Sequence, residues 1–335
     1  MTVTMKNNKS DTGRLFRLVE VDYLRANTSP DFDIYIQTSD NREPVLYRER
    51  NLVMDGTVQN QLRDKDITNV FVPISQEAAY QEYLEDSLEI FLADTDINTH
   101  AKTEMLYSTA TDMVKSFFEN PNSDLLAPRS ERLVDNMIQF IGQDETIFSS
   151  FLKTGSFDYK TYTHSVNVMM YSQFLAQHLN LGDKEFMRKL GIGTLLHDIG
   201  KSKVSNRTLN HPGRLNNKQW NEIKMHPEWG CDILEDQGFT DEMVLDITMH
   251  HHEKLNGAGY PHQLSADKIP DYVRVVTICD IFDALTTKRS YKNAADSYSS
   301  LEIMRLEMPG ELDMAMFLEF IALMSTSPEA VVNSR

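Results

Sequence analysis

The segment Leu195-Leu196-His197-Asp198-Ile199-Gly200-Lys201 constrains this chain more than any other stretch. It places an imidazole, a carboxylate and an amine close together, directly after an apolar run. Neighbouring His and Asp side chains can reach one metal ion, and the second carboxylate oxygen can reach another. A His-Asp pair alone carries little weight, but six of the ten histidines lie between His197 and His252. The sequence therefore predicts a metal site in the second half of the chain.

The other candidate ligands are spread along the same half. With the His-Asp pair, the set is His164, His197, Asp198, His226, the triplet His250, His251 and His252, and Asp280. Spacing alone does not choose among the three consecutive histidines. Asp280 follows the apolar run 275–279, where an unpaired carboxylate is costly to bury. A metal ion is the cationic partner that also accounts for the imidazoles.

One octahedral ion that keeps a coordination position open cannot use all of these nitrogen and oxygen ligands. We therefore expect two ions that share Asp198. A set of imidazoles and carboxylates without thiolate suits iron or manganese, with zinc, cobalt and nickel as alternatives. Paired ions clamp a phosphodiester and lower the pKa of a bridging water, which gives hydroxide for in-line attack on phosphorus. Lys201 lies one turn from the pair, where its ammonium can neutralise a phosphate oxygen.

Composition indicates a globular protein with room for two domains in 335 residues. A formal net charge of −17 argues against general affinity for nucleic acid. The longest apolar runs are too short to span a bilayer, so we expect no membrane partner. Cys231 and Cys279 fit a reducing compartment, and the polar N-terminus lacks a secretory signal. We therefore expect a cytoplasmic protein with a disordered tail at residues 1–13.

Periodicity predicts a mainly α fold, with a small α+β domain ahead of an all-α domain. Residues 32–36 alternate with period two, and 44–47 follow a polar turn at Asp40-Asn41, which predicts a hairpin. Residues 70–73 predict a closing strand. Residues 57–62 predict a short helix, and 75–120 a helical region interrupted at 94–99. Because Asn120-Pro121 is a strong stop, we expect a regulatory α+β domain with its connecting helix at 14–120 and an all-α domain at 121–335.

The all-α domain shows apolar faces at helical spacing, separated by Gly and Pro turns. The predicted helices cover residues 133–152, 163–179, 184–196, 217–234, 241–250, 272–285 and 312–324.

Two sequence motifs together carry a resemblance to a known family. Residues 196–201, followed by His251-His252-Glu253-Lys254-Leu255-Asn256-Gly257-Ala258-Gly259-Tyr260-Pro261, resemble the HD-GYP family, which are bacterial phosphodiesterases of the HD superfamily that hydrolyse cyclic di-GMP. Further matching segments, in the family's order, are 162–165, 211–215, 226–230, 280–286 and 289–292. The resemblance covers roughly residues 133–323.

The resemblance implies a role for each matched position. One ion would be held by His164, His197, Asp198 and Asp280; Asp198 would bridge to a second ion, held by His226, His251 and His252. In the family motif, the two ligand histidines directly precede a Glu. Aligned on Glu253, the motif selects His251 and His252 and leaves His250 as a neighbour. Lys201, Arg289 and Lys292 would contact the substrate phosphate, with Asp198 and Lys201 as the catalytic residues. Tyr260 and Asp283 are expected to have structural roles.

The sequence departs from the family pattern in three places. The loop reads Gly-Ala-Gly where Gly-Ser-Gly is common, and 288–292 reads Lys-Arg-Ser-Tyr-Lys where the family usually has Asp-Arg-Pro-Tyr-Arg. Some members carry a Glu four residues before the first ligand histidine, where it helps to hold a third metal. Because that position is Lys160 here, we expect two divalent metal ions, with iron as the first expectation and manganese as the second.

The function implied is metal-dependent hydrolysis of cyclic di-GMP to pGpG, with continuation to GMP left open. Two alternatives remain: a cyclic di-GMP or redox sensor with little turnover, and an HD hydrolase of another cyclic dinucleotide. Cyclic di-GMP is the expected partner. A homodimer through the N-terminal domain or the connecting helix is left open.

Overall fold

A computed structural model describes residues 15–37, 43–144, 146–155, 160–287 and 296–326 of the chain. By compactness, the chain divides between Asp94 and Thr95 into two units. The sequence pattern instead predicts a first domain that ends at residue 120, and that domain assignment stays a prediction. The expected tail at 1–13 and most of the expected turn around Asp40-Asn41 lie outside the described residues.

The first unit combines a sheet with helices. Its strands and α-helices are β1 (Phe16–Glu20), β2 (Ile34–Ile36), β3 (Val45–Arg48), α1 (Gly56–Arg63), β4 (Asn69–Pro73) and α2 (Glu77–Ala93). Among the described residues, the strands form one sheet in the order β1-β4-β2-β3, and each pair is antiparallel. The predicted small α+β domain is confirmed in its class.

Alternation along β4 sets the core of this unit. Val70 and Val72 are buried and their neighbours are half-exposed, because successive side chains of a strand point to opposite faces. On α2, Tyr80 is also buried, and its ring meets that of Phe32 edge-on at 5.4 Å. The sheet of this unit therefore has one well-packed face.

The second unit is helical throughout its described part, as predicted. Its α-helices are α3 (Thr99–Glu119), α4 (Leu126–Ile141), α5 (Thr146–Thr154), α6 (Thr161–His178), α7 (Lys184–Leu196), α8 (Asn206–Leu209), α9 (Asn217–Lys224), α10 (His226–Asp236), α11 (Glu242–His250), α12 (Asp271–Thr286), α13 (Ser297–Glu307) and α14 (Met314–Ser325). A 3-10 turn, Ile199–Lys203, follows α7. Within the described ranges, no helix is both long enough and apolar enough to cross a membrane.

Two predicted helices are each two helices in the structure. The helix expected at 217–234 is interrupted at Met225, between α9 and α10, because Pro227 has no N–H and its ring disfavours a continuous helix before it. Pro227 instead lies in the first turn of α10, where a missing N–H costs nothing. The helix expected at 133–152 is likewise divided, into α4 and α5, and α13 was not predicted from the sequence.

Helices α6 and α12 form the centre of the second unit. Residues 163–176 of α6 are all buried, and α6 packs against α3, α7 and α12. Tyr171 of α6 meets Phe282 of α12 edge-on at 5.3 Å. Because both helices are enclosed on nearly all sides, polar residues on them can be held in a site that water reaches poorly.

Close packing at Gly200 sets the distance between the 3-10 turn and α10. A Cβ atom at residue 200 would lie 1.9 Å from the His226 carbonyl oxygen and 2.5 Å from the Gly230 nitrogen. Both neighbours are backbone atoms, so they cannot move aside without shifting α10. The absence of a side chain at Gly200 therefore lets His226 approach Asp198.

We expect Gly200→Ala to lower the free energy of unfolding by about 2–3 kcal/mol or more, because overpacked cores force backbone shifts. Chemical denaturation followed by circular dichroism measures the change. Gly142→Ala is the matched control, since its Cβ atom would make only ordinary contacts, 3.5 Å and 3.8 Å from carbonyl oxygens of α4. Equal stabilities of the two variants would contradict this account of Gly200.

Candidate metal centre

Three buried histidines of the centre are positioned by helix C-termini. His197 follows α7, His226 follows α9 after one residue, and His251 follows α11. In each case Nδ1 lies close to the carbonyl oxygen three residues earlier, at 2.7 Å, 2.7 Å and 2.9 Å respectively. The last carbonyls of a helix lack partners within the helix, so they are available to accept from an imidazole N–H. These bonds place the hydrogen on Nδ1 and leave the lone pair of a neutral ring on Nε2.

His164, on α6, is held by a carboxylate instead. Its Nδ1 lies 2.6 Å from Oδ2 of Asp283, and Asn167 donates to the other oxygen of Asp283 at 2.8 Å. All three side chains are buried. A carboxylate that accepts from Nδ1–H fixes the ring orientation and makes Nε2 a better metal ligand. The expected structural role of Asp283 thus takes a definite form: it orients His164.

The Nε2 atoms then converge without hydrogens between them. Nε2 of His226 lies 3.2 Å from Nε2 of His251, and both rings carry their hydrogen on Nδ1. Two lone pairs at this distance repel unless a cation lies near both. Among the described residues, Nε2 of His197 has no hydrogen-bond partner although it is buried. This donor arrangement fits a divalent metal ion.

Asp198 lies at the centre of the imidazoles, fully buried. Its Oδ1 is 3.2 Å from Nε2 of His226 and 3.8 Å from Nε2 of His251. Its Oδ2 is 3.6 Å from Nε2 of His164 and 3.5 Å from Nε2 of His197. Each oxygen therefore faces a different pair of histidines, as a carboxylate that bridges two ions would.

Asp280, on α12, extends the arrangement towards the surface. Its Oδ1 is 2.9 Å from Nε2 of His164, and its Oδ2 is 3.5 Å from Nδ1 of His252. The His252 side chain is 22% exposed, whereas the other predicted ligands are nearly inaccessible. The centre therefore opens to solvent on the side of His252.

All seven predicted metal ligands come together in two groups of closely spaced ligand atoms. One group is Asp198, His226, His251 and His252, and the other is His164, His197 and Asp280. His250 is outside both groups, because its ring nitrogens contact Asp246 and His262. The structure thus separates His250 from the other two members of the triplet.

Charge and burial favour the protonation states that bind cations. Burial lowers the pKa of His197, His251 and His252, the last to about 3, so these rings stay neutral. Burial alone would raise the pKa of Asp198, but the adjacent Lys201 ammonium holds it well below its usual range. Neutral imidazole and ionised carboxylate are the forms that coordinate metal.

Lys201 is placed beside the bridging position. Its ammonium donates to Oδ2 of Asp198, and its side chain is 12% exposed. The amine predicted to contact phosphate is therefore at the centre and near its open side. Arg289 and Lys292 lie outside the described residues, so their contact with phosphate stays a prediction.

The Gly-Tyr-Pro loop packs against one face of His252. The Tyr260 ring stacks on the His252 ring, with centroids 4.7 Å apart. A Cβ atom at Gly259 would lie 2.5 Å from Cα of Glu253, so the loop backbone can approach only with glycine there. Burial raises the pKa of Tyr260, so its phenol stays protonated. These contacts support the predicted packing role of Tyr260.

Glu253 is a positioning residue whose role was not predicted from the sequence. It is buried, and its carboxylate accepts from the backbone N–H groups of His262, Gln263 and Leu264 at 2.7 Å, 3.0 Å and 3.0 Å. These bonds close the loop back onto the residue that follows the two ligand histidines. The signal for this role in the sequence was a charged residue that follows the two ligand histidines and precedes a glycine-rich turn.

Comparison with known proteins places residues 124–316 in a family described as the HD domain. Cyclic di-GMP phosphodiesterase PA4108 of Pseudomonas aeruginosa is 33% identical over 196 residues, which are 58% of this chain and 47% of that protein. 3'3'-cGAMP-specific phosphodiesterase 3 of Vibrio cholerae is 32% identical over 168 residues, 50% of this chain and 36% of that protein. The chain thus spans less than half the length of either relative.

The fold is also similar to that of a solved structure. Bd1817, described as an HDG"Y"P protein from Bdellovibrio bacteriovorus, matches with a TM-score of 0.64 and 20% identity. The match covers 92% of this chain and 99% of that chain. At this identity the likeness concerns the fold alone.

We expect Asp283→Ala to weaken divalent-metal affinity by about 10–100-fold, because His164 loses the acceptor that orients it. Isothermal titration calorimetry of the metal-free protein with Mn(II) measures the change. Asp246→Ala is the matched control, since Asp246 holds the Nδ1 of His250 outside the two ligand groups. Unchanged affinity in Asp283→Ala would show that this carboxylate does not support the site.

Proposed function

The chain belongs to the HD domain family, and we propose that it is a metal-dependent phosphodiesterase that hydrolyses cyclic di-GMP to pGpG. One observation carries the proposal: each oxygen of the buried Asp198 faces its own pair of imidazole Nε2 atoms. This is the arrangement needed to hold two ions side by side. Ions so placed, when bound, neutralise a phosphodiester and lower the pKa of a shared water.

We propose that the two ligand groups each hold one ion. His164, His197 and Asp280 hold the first, and His226, His251 and His252 hold the second, with Asp198 shared. Imidazole and carboxylate donors without thiolate favour iron, with manganese as the second choice. Lys160 at the start of α6 supplies no carboxylate for a third ion.

The chain's own residues orient the reaction. Lys201, near the open side, offers a positive charge to a phosphate oxygen on which negative charge grows in the transition state. Asp283 and the three helix-end carbonyls keep the imidazoles in one tautomer. Hydrolysis adds water across one P–O bond of the cyclic dinucleotide, so it yields a terminal phosphate and a free hydroxyl.

The relatives support a cyclic dinucleotide as the substrate, and they leave two candidates. PA4108 is described as a cyclic di-GMP phosphodiesterase, and the Vibrio cholerae relative as specific for 3'3'-cGAMP. Cyclic di-GMP is our first choice, because further relatives at 30% identity or more carry that description. The mixed dinucleotide is the second candidate.

We also propose a cytoplasmic location, which the two free thiols, Cys231 and Cys279, support because disulfides are rare there. A regulatory role for the first unit and a homodimer remain predictions.

Turnover of cyclic di-GMP and 3'3'-cGAMP by anaerobically purified protein, loaded with Fe(II) or Mn(II), tests the proposal. We expect metal-dependent hydrolysis, abolished in His197→Ala and Asp198→Ala because each removes a ligand. His250→Ala is the matched control and should keep its activity, since its ring contacts Asp246 and His262.

Absence of metal-dependent turnover of both dinucleotides by the wild type would sink the proposal. Metal analysis of the same preparations should give two ions per chain, and three would overturn the two-ion assignment.

We expect Lys201→Ala to lower kcat by roughly 10²-fold, because it removes a charge from the developing phosphate anion. Lys203→Ala is the control in the same 3-10 turn. Its side chain is 43% exposed and its ammonium lies 3.9 Å from Oδ2 of Asp232, so its loss should change kcat by less than about twofold. Steady-state kinetics with matched metal content distinguishes the two. Similar losses in both variants would contradict the role of Lys201.

A further inference from the structure

A cavity of about 590 Å³ lies beside the proposed metal centre, within the helical unit. Lys201 lines this cavity, and the same ammonium donates to Oδ2 of Asp198. The volume falls in the range of roughly 300–1,000 Å³ that is usual for small-molecule sites. A substrate whose phosphodiester lies at the centre can therefore extend into the cavity.

The cavity wall is rich in aromatic rings. Phe118, Tyr162 and Trp220 contribute to it from α3, α6 and α9. Trp220 is 44% exposed, which leaves much of a large apolar ring open. Its ring also meets that of Tyr260 at 6.0 Å, so Trp220 lies next to the loop that packs against His252. Aromatic side chains of this kind serve as stacking platforms for nucleic-acid bases.

Two buried polar atoms belong to residues of the same wall. Ser202 Oγ and His211 Nδ1 are inaccessible and, among the residues that the structure describes, have no hydrogen-bond partner. Leaving such atoms unpaired is costly, and rotation of either side chain into the cavity would let a bound ligand with polar edges satisfy them. A hydroxyl and an imidazole nitrogen can each donate or accept, which suits the mixed edge of a heterocyclic base.

Resting on the proposed function, we propose that this cavity is a nucleobase subsite, in which a purine of the cyclic dinucleotide stacks on Trp220. Ser202 and His211 rotate to bond to the edge of the base, while Lys201 keeps the attached phosphate at the metal centre. A planar base accounts for both the aromatic wall and the unpaired polar atoms. A purely apolar ligand would leave those polar atoms without partners.

The tryptophan content allows a direct test. The chain has two tryptophans, Trp220 and Trp229, and only Trp220 lines the cavity. Trp229→Phe therefore leaves Trp220 as the sole indole, and Trp220→Phe leaves Trp229 as its matched control. Each metal-loaded variant is mixed with cyclic di-GMP in a stopped-flow fluorimeter, and emission is followed before turnover. We expect saturable quenching in Trp229→Phe and none in Trp220→Phe.

Steady-state kinetics provides the second readout. Trp220→Ala should raise KM for cyclic di-GMP by about tenfold with a much smaller change in kcat, and Trp220→Phe should restore most of the loss, since any aromatic ring can stack. Because Trp220 is partly exposed, thermal unfolding should be little changed and serves as the check on folding.

The two proposals can fail separately. Normal wild-type turnover without quenching of Trp220, or with an unchanged KM in Trp220→Ala, would overturn the subsite and leave the phosphodiesterase standing. If the wild type hydrolyses neither dinucleotide, the phosphodiesterase fails, and the quenching titration still decides whether a purine binds at Trp220.

Discussion

The buried charge of Asp198 is the constraint on which the helical unit depends. A carboxylate removed from water must be balanced by positive charge or by donors. Lys201 provides one such contact, but the four surrounding imidazoles offer it Nε2 atoms whose lone pairs cannot donate. Cations between these nitrogens and the carboxylate oxygens would satisfy both sets of atoms. The helices of this unit enclose the charge, and Gly200 lets the 3-10 turn and α10 approach each other beside it.

Helix ends do much of the positioning in this centre. Carbonyls at the ends of α7, α9 and α11 accept from the Nδ1–H groups of His197, His226 and His251. One structural device thus satisfies carbonyls that the helices leave unpaired and fixes the tautomer of each ring. His164 lies inside a helix, where the carbonyls are already paired, and it needs the carboxylate of Asp283 instead. The orientation of these imidazoles therefore depends on where the helices end.

Sequence patterns predicted the helices and strands well where hydrophobic periodicity was strong. They predicted them less well where apolar spacing continued across a helix end. The helix at 184–196 has the predicted bounds. The break before Pro227 was missed because apolar spacing continued across it, although the proline itself was a signal. That break is functionally relevant, since it makes the carbonyl near the end of α9 available to His226. Glu253 was missed for a related reason, because its partners are backbone groups, which no residue pattern records.

The sequence by itself determined the chemical content of the site: imidazoles, two carboxylates and a lysine, without thiolates. Together with the family register, it also separated His251 and His252 from His250. Only the tertiary structure decided which atoms meet. Helices α6 and α12 and the C-terminal ends of α7, α9 and α11 bring together residues that are far apart in the chain. It also decided that the two oxygens of Asp198 face different histidine pairs, and that a cavity with an open indole lies beside them. Ligand type is a property of side chains, whereas ligand direction depends on backbone bonds and packing, which a linear pattern does not contain.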